Sequence, residues 1–216
     1  MPQDSAPTTE SETRTGIRAA LSLPWIYRMA QNAIGATRFR EVLIRDVLAV
    51  ERGERVLDIG CGPADILADL PEVDYVGVDH SERYIADAKL RFNSAGTFLV
   101  ATADQSSLPT ISPRSLAIAV GVLHHLNDDE ATSALNLAYS ALEPGGRMIT
   151  ADPTFAVGQH FIGRALARRD RGRFVRTPDE TLTIAQRVFP SATISVRHDL
   201  LRVPYSHVIV TGNRPY

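Results

Sequence analysis

The chain has 216 residues, 44% of them hydrophobic, enough for one globular domain with a sizeable core. A formal net charge of −2 and a pI near 6.3 exclude a global electrostatic pull toward nucleic acid. The single cysteine, Cys61, excludes an internal disulfide framework and a cysteine-based zinc cluster.

In chain order, residues 1–15 are polar, rich in Ser, Thr, Pro and Glu, and without hydrophobic period; they are expected to be a disordered tail. They lack the basic-then-apolar pattern of a secretory signal, and no apolar run reaches the roughly 18 to 20 residues of a membrane span. A reducing, cytoplasmic setting is therefore expected. Residues 16–50 turn helical. Pro24 offers a start, Ile26, Met29, Ala30, Ala33 and Ile34 recur at three- and four-residue intervals, and Phe39, Val42, Leu43, Val47 and Leu48 continue an apolar face beyond Gly35. This segment is expected to be a helical lid on a domain spanning 16–216.

The rhythm then changes. Short apolar runs at Arg55–Ile59, Tyr75–Val78, Phe98–Ala101, Leu116–Val122, Arg147–Thr150, Ile194–Arg197 and His207–Thr211 read as strands. Helical spacing fills intervals such as Ser81–Phe92 and Asp128–Leu142. Alternating strands and helices predict a doubly wound, mostly parallel α/β sheet covered on both faces. The last two runs are separated by too few residues for a crossover helix, so they should form an antiparallel hairpin.

The stretch Val56-Leu57-Asp58-Ile59-Gly60-Cys61-Gly62-Pro63-Ala64-Asp65 reads as a buried strand, a Gly-rich turn and a helix start. Glycine permits positive φ and close approach of a ligand to the backbone. A dinucleotide loop would want G-x-G-x-x-G with a pyrophosphate on the helix N-terminus. Here the third glycine position is Asp65, whose carboxylate is expected to crowd that contact and repel a pyrophosphate. Asp79 ends the next strand, 19 residues after Gly60, where a carboxylate can take both ribose hydroxyls. Asp104, after the third strand, can accept from an adenine amine. Together the acidic positions suit a cationic, phosphate-free adenosine ligand such as S-adenosylmethionine.

From about Arg55 to the C-terminus the chain resembles the class I methyltransferase family. The resemblance rests on Val56–Gly62, Val76-Gly77-Val78-Asp79, Val122-Leu123-His124-His125-Leu126 and Leu142-Glu143-Pro144-Gly145-Gly146-Arg147. It implies a seven-stranded Rossmann-like sheet and S-adenosylmethionine as cofactor, with S-adenosylhomocysteine as product. It also implies cofactor contacts at Asp58, Gly60, Cys61, Gly62, Asp79, His80 and Gly121, with Asp104 and Gln105 or Ser106 beside adenine. Two departures are Ala64, where many members have a third glycine, and Leu116, where the fourth strand often starts with Asp.

Methyl transfer from a sulfonium is a direct displacement, so positioning supplies much of the catalysis, and a base is needed only if the acceptor loses a proton. The candidates are His124 and His125 after the fourth strand, Asp152 after the fifth, and Tyr27 of the lid. The adjacent histidines should point in different directions, so at most one faces a pocket; the pair could equally serve packing and capping. No third ligand position suggests a metal. For an acceptor, Tyr27, Gln31 and Asn32 offer polar groups. The segment Arg164–Arg176, with Arg171 and Arg173, could join Arg197, Tyr205 and His207 to bind a phosphate, an isoprenoid diphosphate or a carboxylate; a solvated helix face is the plainer reading. These stretches look similar to a bacterial subgroup of small methyltransferases. A small-molecule acceptor is expected, ahead of RNA or protein, and nucleic acid is not an expected partner. The chain lacks the Asn-Pro-Pro-aromatic sequence of amide and adenine methylators. A non-catalytic cofactor-binding scaffold is the third reading.

Overall fold

The computed structural model describes residues 36–102, 111, 113–169 and 172–216, apart from the side chains at 36, 166 and 169. The expected tail and residues 16–35 of the expected lid lie outside the described residues, as do Tyr27, Gln31, Asn32, Asp104, Gln105, Ser106 and Arg171.

Seven strands form one sheet: β1 (Arg55–Ile59), β2 (Asp74–Asp79), β3 (Thr97–Val100), β4 (Arg114–Val120), β5 (Leu142–Pro153), β6 (Thr193–Arg197) and β7 (His207–Asn213). Their order is β3-β2-β1-β4-β5-β7-β6. The first five run parallel; β7 is antiparallel to both β5 and β6, as the short connection requires. The sequence runs find their strands, and β5 is longer than its apolar run because Leu142–Arg147 also pairs with β4, across a register shift between Arg114 and Leu116.

Side chains alternate across β1. Leu57 and Ile59 face α3 (Asp128–Ala141) and α5 (Pro178–Gln186), where Ala134, Leu135, Ala138, Ile184 and Phe189 close one core layer. Val56 faces the other layer with Tyr75, Leu116 and Ile118, covered by Val42 and Leu43 of α1 (Ala36–Leu43) and by Ile85 and Ala88 of α2 (Glu82–Phe92). Asp58 shares the Val56 side of the strand, so a carboxylate is placed among apolar neighbours.

Helix α1 runs into a single π-type turn, Ile44–Leu48, which stops at Ala49 in a left-handed conformation. Arg147 holds this end: its Nη2 donates to the Leu48 carbonyl at 3.1 Å and its guanidinium pairs with Glu54. Helix α3 begins with a reciprocal capping box between Asn127 and Glu130, and α5 with one between Thr177 and Glu180, followed by Pro178. A further helix, α4 (Phe161–Arg169), lies between β5 and α5. No helix among the described residues is long and apolar enough to cross a membrane.

Candidate functional site

The carboxyl ends of β1, β2, β3 and β4 open on a cleft of about 380 Å³. At its floor, Gly60 (φ +70°) donates its N–H to the Val78 carbonyl at 2.7 Å, tying the turn after β1 to the end of β2. A Cβ at position 60 would stand 2.6 Å from Val122 Cγ2. Gly62 (φ +54°) faces open space, and its N–H donates to Asp79 Oδ2 at 2.9 Å. Asp79 Oδ1 accepts from the Ser81 N–H at 2.8 Å. One buried carboxylate thus clamps the Gly-rich turn and the start of α2 together. Each oxygen keeps a further lone pair for a ligand in the cleft it lines.

Val78, Ala101, Val122 and Leu126 supply apolar walls, and His80 stands exposed at the rim. The first two turns of α3 add Asp129, Glu130 and Ser133. The sequence reading did not single these out. Asn127 was the available signal, because a helix cap two residues after His125 brings the first turn of α3 to this edge.

The turn departs from expectation in one respect. It leads into a five-residue 3₁₀ stretch, Asp65–Asp69, entered through Ala64 in a left-handed conformation, rather than into an α-helix. Asp65 does not face the cleft as a repelling charge: Arg91 Nη1 donates to its Oδ1 at 2.6 Å and to the Pro63 carbonyl at 3.0 Å. What disfavours a pyrophosphate is therefore the missing α-helical N-terminus together with Asp79 at the cleft.

Beneath the turn, Asp58 is 4% exposed and accepts a hydrogen bond from the Tyr75 hydroxyl at 2.6 Å. Burial pushes its carboxyl up to about 7; the Tyr75 hydrogen bond works downward and the charge of Asp79 upward. Burial likewise pushes the Cys61 thiol up, with the Asp58 and Asp79 charges adding to it. Cys61 is a neutral thiol lodged over Gly77, where any Cβ would meet its sulfur at 2.7 Å.

The second group lies at the ends of β4 and β5. Gly121 (φ +68°) donates to the Ala151 carbonyl at 2.8 Å and leads into a 3₁₀ turn, Leu123–His125. Asp152 Oδ1 accepts from the His124 backbone N–H at 3.2 Å and lies 2.9 Å from His124 Nδ1. This orients the imidazole through one nitrogen, the arrangement a general base requires. Asp152 Oδ2 has no hydrogen-bond partner among the described residues, and Asp152 lines a small cavity of about 10 Å³, the room of one water molecule. The two histidine rings have centroids 4.0 Å apart and are tilted by 39° to one another, His124 buried and His125 exposed.

The arginine segment serves this turn structurally. Arg176 donates to the Leu123 carbonyl at 2.8 Å, to the Leu126 carbonyl at 2.7 Å and to Asp128 at 2.8 Å. Gly172 lies directly on the His124 ring, where no Cβ fits, and Phe174 N–H donates to the His124 carbonyl at 3.0 Å. Arg173 is exposed. Arg197 is engaged by Asp199 at 2.7 Å and stands 3.8 Å from Asp46. His207, opposite Pro153 in the sheet, is buried between Phe39 of α1 and Tyr205, with ring centroids at 5.1 and 5.2 Å. The fold thus gathers Gly60, Asp79 and His80 at one cleft, ties Gly62 to Asp79, and seats Asp58 and Cys61 beneath the turn. It sets Gly121, His124 and Asp152 beside that cleft, and leaves Arg197 apart in its own ion pairs.

The sheet order and the clamped glycine turn define the class I methyltransferase fold. Residues 56–146 match the family described as "Methyltransferase domain". The apo crystal structure of the S-adenosylmethionine-dependent methyltransferase SibL is similar with a TM-score of 0.73 at 18% identity, over 92% of this chain and 61% of that one. An uncharacterised 37.1 kDa protein in a transposon of Streptomyces fradiae is 31% identical over 65% of this chain and 44% of its own length. The ubiquinone/menaquinone biosynthesis C-methyltransferase UbiE of Desulfotalea psychrophila is 34% identical over 46% of this chain and 42% of its own. The chain thus spans less than half the length of these curated relatives.

Proposed function

We propose that this protein transfers a methyl group from S-adenosylmethionine to a small-molecule acceptor. The observation that carries the reading is Asp79: a buried carboxylate, fixed by two backbone donors, lining a cleft with apolar walls beside a glycine turn. That arrangement suits a ribose and an adenine with no phosphate between them and a cationic tail. Asp79 would hold the ribose hydroxyls, the Gly60–Gly62 backbone the methionyl part, and Asp104 with Gln105 the adenine. Bound there, the cofactor supplies an electrophilic methyl group whose departure leaves a neutral thioether.

His124, oriented by Asp152, would take a proton from an acceptor that must lose one; His125 and Tyr27 are the alternatives. The acceptor would lie over the ends of β4 and β5, beside Tyr205 and His207, with Tyr27, Gln31 and Asn32 as further candidate contacts. With Arg176 and Arg197 engaged internally, an anionic group on the acceptor would fall to Arg171 and Arg173.

Calorimetry tests the cofactor half. The wild type is expected to bind S-adenosylmethionine and S-adenosylhomocysteine, and Asp79→Asn to bind them more weakly by about 1–3 kcal/mol, the worth of a charge-assisted hydrogen bond. Equal affinity in the variant would remove the ribose assignment. Methyl-labelled cofactor with size-fractionated extracts tests the acceptor half: label is expected in the small-molecule fraction. Label in RNA or protein overturns that half, and tight binding without transfer leaves the scaffold reading.

A further inference from the structure

We infer that Tyr75 is a positioning residue for the cofactor site, keeping the buried Asp58 carboxylate charged beneath the glycine turn so that the site favours a cationic ligand. This rests on the reading of the cleft as an S-adenosylmethionine site and extends it to a residue that does not line the cleft.

Along β1, Asp58 occupies the side of the strand that Val56 fills with an apolar side chain. A carboxylate there is costly unless it is hydrogen-bonded or paired. No basic side chain among the described residues pairs with it. Its partner is the neutral hydroxyl of Tyr75, itself 1% exposed.

The tyrosine is held firmly. In the β1–β2 register it stands opposite Val56 and reaches diagonally up the sheet to Asp58. Its ring packs against Phe98, with centroids 5.9 Å apart. Glycines flank it: a Cβ at Gly77 or at Gly96 would come within 3.0 Å of ring carbons. The titratable groups around Asp58 are Tyr75 and Asp79 from β2 and the neutral Cys61 of the turn. Burial and Asp79 favour the neutral acid, and Tyr75 opposes them. The balance falls at about 7, so a lost hydrogen bond or an arriving cation decides the charge.

The cofactor carries a sulfonium and an ammonium. A negative charge buried beneath the turn attracts both through a medium that screens little. Adenosine alone carries no charge and gains nothing from it.

The experiment measures dissociation constants of S-adenosylmethionine and adenosine for wild type and Tyr75→Phe between pH 6 and 8.5. The ratio of variant to wild type cancels the ligand's own titration. For S-adenosylmethionine at pH 7 the ratio is expected to be roughly three to ten, the net worth of one ordinary hydrogen bond, and to fall toward one as pH rises. For adenosine it should stay near one throughout. A ratio independent of pH, or an equal loss for adenosine, overturns the inference. Asp58→Asn supplies the second background, because a merely structural tyrosine would cost the same there as in wild type. In the ligand-free protein, the Asp58 carboxyl carbon followed by NMR should titrate at higher pH in Tyr75→Phe; an unmoved midpoint also overturns it. If that midpoint moves while wild type binds no S-adenosylmethionine, the cofactor reading has failed and not the control of Asp58 by Tyr75.

Discussion

Gly60 and Gly62 both have left-handed backbones, φ +70° and +54°, yet different surroundings. An alanine at either position bears the left-handed penalty, about 1–2 kcal/mol. At Gly60 the new methyl would also meet Val122 at 2.6 Å, whereas at Gly62 nothing lies within 4 Å. Gly60→Ala is therefore expected to lose about 2–4 kcal/mol of stability, the penalty plus one overpacked contact. Gly62→Ala should lose only the first part, and urea unfolding of the two variants would show the order. Equal losses would mean that Val122 yields freely and that the turn is not braced by the segment after β4. The glycines and Asp79 were legible in the sequence because a turn with positive φ and a carboxylate at a strand end leave a local pattern. The Arg91–Asp65 pair and the Tyr75–Asp58 hydrogen bond were not, since each depends on how two separate elements are set against one another.

Among the elements, the segment before α5 shows how one arginine can be mistaken for a ligand group. Its run of basic residues suggested an anion site, yet Arg176 spends its donors on the carbonyls that end the Leu123–His125 turn and on Asp128. Removing it leaves two backbone acceptors with fewer partners, each worth about 1–3 kcal/mol if unsatisfied. Arg176→Ala is expected to destabilise the fold by about that amount and to speed hydrogen exchange at residues 123–126 and 172–176. Arg173→Ala, at an exposed position, should change stability by under about 0.5 kcal/mol. If the two variants unfold alike, Arg176 does not anchor the turn that carries His124. Strands and capped helices were readable because apolar runs and Asn127 or Thr177 caps are local signals. The 3₁₀ stretch after Gly62 was not, because Pro63 and Ala64 read equally well as the first turn of a helix.

Over the whole molecule, the family match ends at residue 146, inside β5, while the sheet continues through β7 to β6. The remainder is integral to the same core. β7 pairs along its length with β5, from Arg147↔Asn213 to Pro153↔His207, and Val208, Ile209 and Val210 are buried. Phe189 fills the space over Gly212, and Arg214 donates to the Leu142 carbonyl. A strand paired on both sides and buried on both faces opens only with global unfolding. Native-state hydrogen exchange should therefore place β7 with β1, β4 and β5 among the slowest amides. β3, with four residues and one free edge, and β6, partly exposed along its length, should exchange faster. β7 exchanging with the faster group would make the C-terminal hairpin a separate, weaker unit. His207 and Tyr205 would then stand on a movable edge instead of on the frame that fixes Asp152.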